Sequence, residues 1–575
     1  MARKKPSATA TTLYRLTDVT DLRSAIRQKY LNDRENFTEI ACSVADREAL
    51  LVHGHMKTER ARWADRLGTL IGQSLTASNQ NAAAVLLIKG KESSTGDTGD
   101  PAAVETDADG ETDTQDASDG HITVWAVAYG MGFHLLDQAY VDPGFGQRIA
   151  IRTAHADSLN SLTSKTMDSR AKVDRSSIPS GSQLSGFGLG DFGELVTRVV
   201  ATAQIEGLTV DKPFKVRGAD ALNLPLAHSP SALLEDLVLI EQTLKKAPLK
   251  ELQILEQLVA LKKDNPTAAK LDRLLAAALL DAGSVQVGIA WPYEGVNENG
   301  TPASFRMKGH GVKTTNDGVP SVEVIRQVID SKNVLGSLTD IKVQLFSDPD
   351  GQSPISSDIP LRKWIAFEDV VDNRRYFLHD GLWYLMDDNY AAQLQTRVRE
   401  IFSGTWESAL PPWNQQGDNM ISEEQYNIDA AKHLGGWVLD RQLITTTQNR
   451  RGFETCDILA PDGALIHVKK ANASAPLSHL FAQGHNSAHS LLHDNEARTK
   501  FRALVRKNGG DPELVKRKPA AVVFAIARSA TGKDAFDPDS LYSFSQVTLV
   551  RTVDDLNAAG IKVYVVPIDN DAGVN

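Results

Sequence analysis

Cysteine is almost absent: Cys42 and Cys456 are the only two in 575 residues. That scarcity excludes a disulfide framework and a cysteine-rich zinc site. Long apolar runs are missing too. None approaches the roughly 20 residues that span a bilayer, so no membrane partner is expected. The N-terminus, MARKKPSATATTLYRL, starts basic but has no apolar stretch behind it. A secretory signal is thereby excluded and a cytoplasmic location is the expectation. No repeat with a period of 20 to 50 residues is present. A phosphate-cradling loop is lacking as well. The cluster from Gly186 to Gly193 has no GK[ST] ending, follows no clear strand, and reads as turn glycines.

An excess of basic residues is also missing, since the formal net charge is -11. The deficit is local. Residues 91–120 hold ten acids and one lysine, which leaves about -2 for everything else. This stretch has almost no large apolar side chain and cannot bury enough surface to offset its ordering entropy. It reads as a disordered acidic insertion, and the overall acidity does not argue against a nucleic-acid substrate.

What is present is an ordinary globular composition, 41% hydrophobic and 23% charged. The length exceeds what one hydrophobic core supports, so several domains are expected. Residues 1–90 read as an α/β segment: a strand at Leu13–Leu16, a helix over Asp18 to Tyr30, and a buried strand at Ala83–Ile88. A strand at His121–Gly130 follows the insertion, which then joins two strands of one sheet. Residues 121–415 continue the α/β region and include a helical subdomain at 231–282, with leucines at helical spacing. A hairpin is expected where Arg374–Leu378 turns at His379-Asp380-Gly381 into Leu382–Met386, followed by a helix from Tyr390 to Ile401. Residues 403–420 are rich in Pro, Gly and Asn and read as the linker to a C-terminal domain, 416–575.

The C-terminal order of elements is the informative part. Ser422 and Gln425 have capping-box spacing at the start of a helix that Gly435-Gly436 ends. Strands are expected at Trp437–Asp440, Phe453–Leu459 and Ala464–Lys470, with a turn at Ala460–Gly463. A helix over Leu477–Leu492, a buried strand at Ala520–Ala527, a helix within 542–559 and a last strand at Ile561–Val566 complete the order. Alternation puts His467 and Lys469 on one face of their strand and Val468 on the other. Glu454 and Asp457 are three apart, so an ideal strand separates their faces unless a bulge intervenes. On the polar helix, His485 and His489 lie at i, i+4, a zinc-gripping spacing or simply a solvated face. Ser478 and Gln483 are placed to touch a phosphate. Between Asp494 and Lys518 there are eight basic and four acidic residues, with Arg498, Arg502 and Lys507 as candidate backbone-phosphate contacts.

This α-β-β-β-α-β order resembles the core of the PD-(D/E)XK phosphodiesterase superfamily, the restriction-endonuclease-like fold. The resemblance implies Asp457 as catalytic acid and metal ligand, His467 at the variable second position, and Lys469 as the catalytic lysine. It adds Glu424 on the opening helix as a further ligand and Glu454 as a further acid. A divalent metal, Mg²⁺ or Mn²⁺, is the implied cofactor. The strings CDIL, LIHVKK and LSHLFAQG, with EEQYN, LDRQLI, FGQR and DGLWY, are similar to a sporadically distributed bacterial family of unknown function, of the DUF6119 type, whose members occur near restriction and phage-defence genes. The fold class expected is therefore mixed α/β and multidomain: an N-terminal α/β region with a helical subdomain, and a restriction-endonuclease-like C-terminal module. The function expected is a metal-dependent nuclease, or nuclease-like effector, of antiviral defence. Its partners would be nucleic acid, DNA ahead of RNA, and other defence proteins. The alternative is a non-catalytic nucleic-acid-binding or scaffold component.

Overall fold

A computed structural model describes residues 8–571 except 59–61, 77, 91–121, 168–172, 191, 263–264, 282–286, 293–301, 310–311, 417–418, 448, 450–451, 471–473, 516–517 and 528–536. It is a mixed α/β chain built on several sheets. The largest has ten strands. In spatial order they are Phe37–Val44, Arg47–Thr58, Asn79–Lys89, Ile122–Gly130, Ala8–Val19, Leu222–Ala227, Phe214–Gly218, Glu194–Ala203, Ala154–Thr166 and Val173–Ser182. Asn79–Lys89 and Ile122–Gly130 pair antiparallel from Ala83↔Gly130 to Lys89↔Val124, so the acidic insertion does connect neighbouring strands of one sheet. The insertion itself lies outside the described residues.

The helix expected over Asp18 to Tyr30 does not form. The first strand runs on to Val19, Asp18 takes a left-handed φ of 61°, and only Gln28–Asn32 is helical. Strand pairing with Ile122 captures residues whose local spacing favoured a helix.

The leucine-rich segment at 231–282 forms helices Pro230–Leu244 and Pro266–Leu280, but they serve different cores. Leu237 and Ile240 pack with Phe145, Ile149 and Leu224 against the ten-stranded sheet. Leu271, Leu275 and Leu279 pack with Trp364, Phe367 and Trp383. Between them Leu258–Ala260 becomes an edge strand of the sheet that carries the Arg374–His379/Leu382–Met386 hairpin. The segment is apolar because it stitches two cores together.

The stretch expected as a linker also carries structure. Trp413 is fully buried, stacks on Tyr426 with ring centroids 4.1 Å apart, and opens the strand Trp413–Gln416 that pairs in parallel with Asn570–Asp571. Across the same boundary, Leu394, Val398 and Ile401 of helix Asp388–Phe402 pack with Val547, Val550 and Val565. A Pro- and Gly-rich composition marked a change of direction here, and the core runs across it.

The C-terminal sheet has five strands in the order Trp437–Val438, Ile458–Leu459, Leu465–Lys470, Ala521–Ala527 and Lys562–Ile568. The first three are antiparallel neighbours and the last three are parallel. Ser422 caps helix Glu423–Leu434 by accepting from the Gln425 N–H, and Gly435 closes it with φ 70°. That helix covers one face of the sheet, with Tyr426 and Ala430 against Ile466 and Val468. Helices Ser474–His493 and Ser543–Ala558 cover the other, with Phe481 and Val547 against Phe524. The basic stretch after Asp494 is a helix, Asn495–Lys507, whose Phe501 and Val505 are buried. Among the described residues no helix is long and apolar enough to cross a membrane.

Candidate functional site

The strand expected over Phe453–Leu459 is interrupted. Phe453–Glu454 pairs sideways with Leu443–Ile444, while Ile458–Leu459 stays in the main sheet. Thr455 and Cys456 bridge the break, both fully buried. The interruption removes the strict alternation that would have put Glu454 and Asp457 on opposite faces. Instead their carboxylates meet, and Asp440 joins them: the three offer oxygens all within 4.8 Å of one another.

Glu454 and Asp457 are held by backbone N–H groups. Asp440 follows the Trp437–Val438 strand, and the next residue, Arg441, takes φ 57°, which turns its N–H onto Glu454 Oε1. Glu454 Oε2 accepts from Gln483 Nε2 at 2.6 Å, across from helix Ser474–His493. Asp457 donates its backbone N–H to Ile466 O at 3.0 Å, and its Oδ2 accepts from Val468 N at 2.6 Å. The side chain thus replaces a strand neighbour in the ladder at the point where the strand ends.

Electrostatics here are unfavourable without a cation. Burial, and then the carboxylates of Glu454, Asp440 and Glu423, push Asp457 up to about 8, against the opposing effect of its Val468 hydrogen bond. Glu454 is raised as well, first by burial and then by Asp440, although the Arg441 and Gln483 donors pull it down. The buried Cys456 thiol between them is pushed up by burial and by Asp457. Three carboxylates, of which Glu454 and Asp457 resist ionisation, are the donor set a hard divalent cation takes, and binding one would displace protons from those two.

Lys469 directly follows Val468, the residue that donates to Asp457, on the central strand. Its ammonium is held by Glu423, at 3.0 and 3.2 Å to the two carboxylate oxygens, and Glu423 also accepts from Lys470 N at 3.2 Å. Glu423 is thus the first-helix acid at the site. Glu424 is turned outward and pairs with Arg441 at 3.3 Å, both side chains more than half exposed. The capping residue Ser422 fixes which of the two adjacent glutamates faces the sheet.

His467 lies outside the acidic group. It is fully buried against Phe524 and the Cα of Gly484, neither ring nitrogen has a hydrogen-bond partner, and burial lowers it to about 4. It is therefore a neutral core side chain, and the carboxylate of Asp440 occupies the role expected of it.

Ser478 faces inward. Its hydroxyl lies 2.6 Å from that of Ser545 in the contact between two helices, which removes it as a phosphate contact. Gln483 is at the site, holding Glu454. Arg498 donates to the Leu491 and Leu492 carbonyls and so closes the preceding helix, and Arg502 pairs with Glu513 at 2.7 Å. Lys507 is exposed on the last turn of its helix. Most of the basic stretch is spent on the protein itself. His485 lies 3.3 Å from Asp555, and its ring stacks on His489 at 5.9 Å.

Sequence reasoning missed Asp440 and Glu423. The signal available for Asp440 was an acid at the end of a strand adjacent to the one bearing Asp457.

The chain matches the DUF6119 family, described as a family of unknown function, over residues 11–569. The protein belongs to this family. No curated protein and no solved structure matches the chain.

Proposed function

We propose that this DUF6119 protein is a metal-dependent phosphodiesterase that cleaves nucleic acid, acting as a nuclease or nuclease-like effector in bacterial defence with DNA as the first substrate to test. The single observation that carries the reading is the meeting of Asp440, Glu454 and Asp457, the first two half-buried and the third buried. A mixed sheet of antiparallel strands followed by parallel ones supports it, as does a lysine one residue past the acid's backbone partner. The defence setting rests on the family resemblance alone, and other defence proteins are the partners it proposes.

The donor set fits Mg²⁺ or Mn²⁺, because all three groups are carboxylates and no imidazole is among them. A bound divalent ion would neutralise phosphate charge and acidify a coordinated water. Asp440, Glu454 and Asp457 would hold the cation. Gln483 fixes the orientation of Glu454. Lys469, released from Glu423 by an entering phosphate, places its ammonium against the non-bridging oxygen where negative charge grows.

The test is incubation of the full-length protein with plasmid DNA and with RNA, in Mg²⁺, Mn²⁺ or EDTA. Cleavage should require metal and be lost in Asp457→Asn, Glu454→Gln and Lys469→Ala. Undiminished cleavage by Asp457→Asn would remove the site. The second reading, a non-catalytic nucleic-acid-binding protein, is favoured by the Glu423 grip on Lys469, which occupies the ammonium. Tight binding of DNA without metal-dependent cleavage under any of these conditions would select it.

A further inference from the structure

Over the strands Phe214–Gly218, Glu194–Ala203, Ala154–Thr166 and Val173–Ser182, the ten-stranded sheet turns one face to a hydrophobic core and carries charged side chains on the other. Val199, Ala201 and Val216 are buried on the core side. On the other side, three arginines stand within four consecutive strands. Thr163 pairs with Arg175 on one flank and with Arg198 on the other, so all three share a face. Val200 pairs with Arg217, and Val200 lies two residues from Arg198, so Arg217 shares that face too. Lys215, opposite Thr202, extends the row. With strands about 4.8 Å apart, the row spans roughly 14 Å.

This cluster is built unlike the carboxylate-paired arginines of the protein. Arg15, Arg375 and Arg551 each sit on a carboxylate within 3.0 Å. Among the described residues, Arg175, Arg198 and Arg217 make no ion pair and no side-chain hydrogen bond. No carboxylate occupies the register positions that share their face: Ser161, Thr163, Ser177, Val200 and Thr202 fill them. Arg175 and Arg217 are exposed and Arg198 is half-buried between them. Partial burial first, and then repulsion from Arg217 and Arg175, lowers Arg198 from its ordinary value. Arg217 is diagonal to Arg198, and Arg175 lies across Thr163 from it, so three uncompensated like charges share one small area and repel. An anion would relieve that cost.

We infer that the Arg175, Arg198 and Arg217 face is a second binding site, one that takes the phosphate backbone of a nucleic acid without reading its sequence. The length of the row exceeds one phosphate and matches a repeating polyanion. No aromatic side chain stands among the named positions to stack a base, so recognition is of the backbone. The choice of nucleic acid rests on the phosphodiesterase reading, whereas the charged face itself does not.

The experiment is a fluorescence anisotropy titration of the full-length protein against a labelled DNA duplex in EDTA, between 50 and 200 mM salt. Cleavage in Mg²⁺ is measured in parallel. In the variant Arg175→Gln/Arg198→Gln/Arg217→Gln, affinity should fall by about tenfold or more, and the log–log salt slope should shrink by about 2.7 for three phosphate contacts. The corresponding triple lysine variant should keep the slope, and thermal melting checks that both variants fold. Wild-type affinity and slope in the glutamine variant would overturn the site. So would failure of the wild type to bind, or displacement of the duplex by polyglutamate as readily as by unlabelled DNA, which would make the ligand an acidic protein. Arginine-dependent binding without any cleavage sinks only the phosphodiesterase reading. Cleavage with arginine-independent binding sinks only this one.

Discussion

Asp457→Asn should stabilise the protein in the absence of metal, increasingly so as pH rises. Asp457 is 7% exposed, and burial beside other carboxylates puts it at about 8 against 3.8 in the unfolded chain. Below pH 3.8 the side chain is neutral in both states and costs nothing extra. Between that point and about 8 the folded protein keeps a proton that unfolding releases, so stability falls as pH rises, by at most about 1.4 kcal/mol per pH unit. By pH 7 the accumulated cost reaches an upper bound of about 4 kcal/mol. Asparagine has no proton to lose, and its carbonyl can still accept from the Val468 N–H. The advantage of the variant should therefore be small near pH 4 and widen to pH 8.

Thermal melting of wild type and variant in EDTA from pH 4 to 9 measures this. The buried His467 and His379, both lowered to about 4, impose an opposite slope, raising stability as pH climbs from about 4 to 6.5. They are common to both proteins and cancel in the difference. Mg²⁺ at a hundred times its dissociation constant would add about 2.7 kcal/mol to the wild type and nothing to the variant. A difference that stays flat with pH, or a wild type more stable than the variant at pH 8 in EDTA, would refute the buried-carboxylate argument.

Other residues give sharper separations between structure and chemistry. Lys469→Ala should abolish cleavage while costing no more than about 1 kcal/mol in a chemical melt, because its ion pair with Glu423 is about one-third exposed on both sides. Ser478→Ala should cost about 1–2 kcal/mol through the buried Ser478–Ser545 pair and leave nucleic-acid binding unchanged in an anisotropy titration. Gly484→Ala should destabilise by about 1–3 kcal/mol, since the new methyl would meet the Phe524 ring at 2.5 Å and His467 at 3.2 Å in a site with no exposure; a melt within experimental error of wild type would contradict that packing.

The elements that were legible carry their own local signals. Ser422 with Gln425 and Gly435 bound a helix on both sides, and they do so in the structure. The apolar run Ala521–Ala527 can satisfy its surroundings only as a strand covered on both faces, and every residue in it is buried. What was illegible depended on partners distant in the chain. Asp18 to Tyr30 has acceptable helical residues, yet Val19 pairs with Ile122, more than a hundred positions away. The 403–420 stretch has linker composition, yet Trp413 finds Tyr426 and a strand partner at Asn570. At the site, Asp457 and Lys469 could be picked by residue type and spacing. Asp440 was marked only as an acid at the end of the neighbouring strand, and its meeting with the other two arises from a strand break that no propensity marks. His467 was misplaced for a related reason: alternation puts it on the same face as Lys469, but that face is sealed by Gly484 and Phe524 before the strand reaches solvent.

The break at Thr455 and Cys456 bears on whether the acidic group is functional or incidental. An unbroken strand would give longer ladders, alternate the two acids, and cost nothing electrostatically. The protein instead pairs Glu454 with Leu443, spends a left-handed residue at Arg441, and buries Ser487's hydroxyl bond to the Thr455 carbonyl to hold the detour. Every one of these features brings like charges closer, in surroundings where ionising them is expensive. A fold selected only for stability gains more from apolar residues at 440, 454 and 457. Carboxylates forced together at the edge of a rigid sheet, with Glu454 and Asp457 backed by fixed donors, are intelligible when a cation completes them.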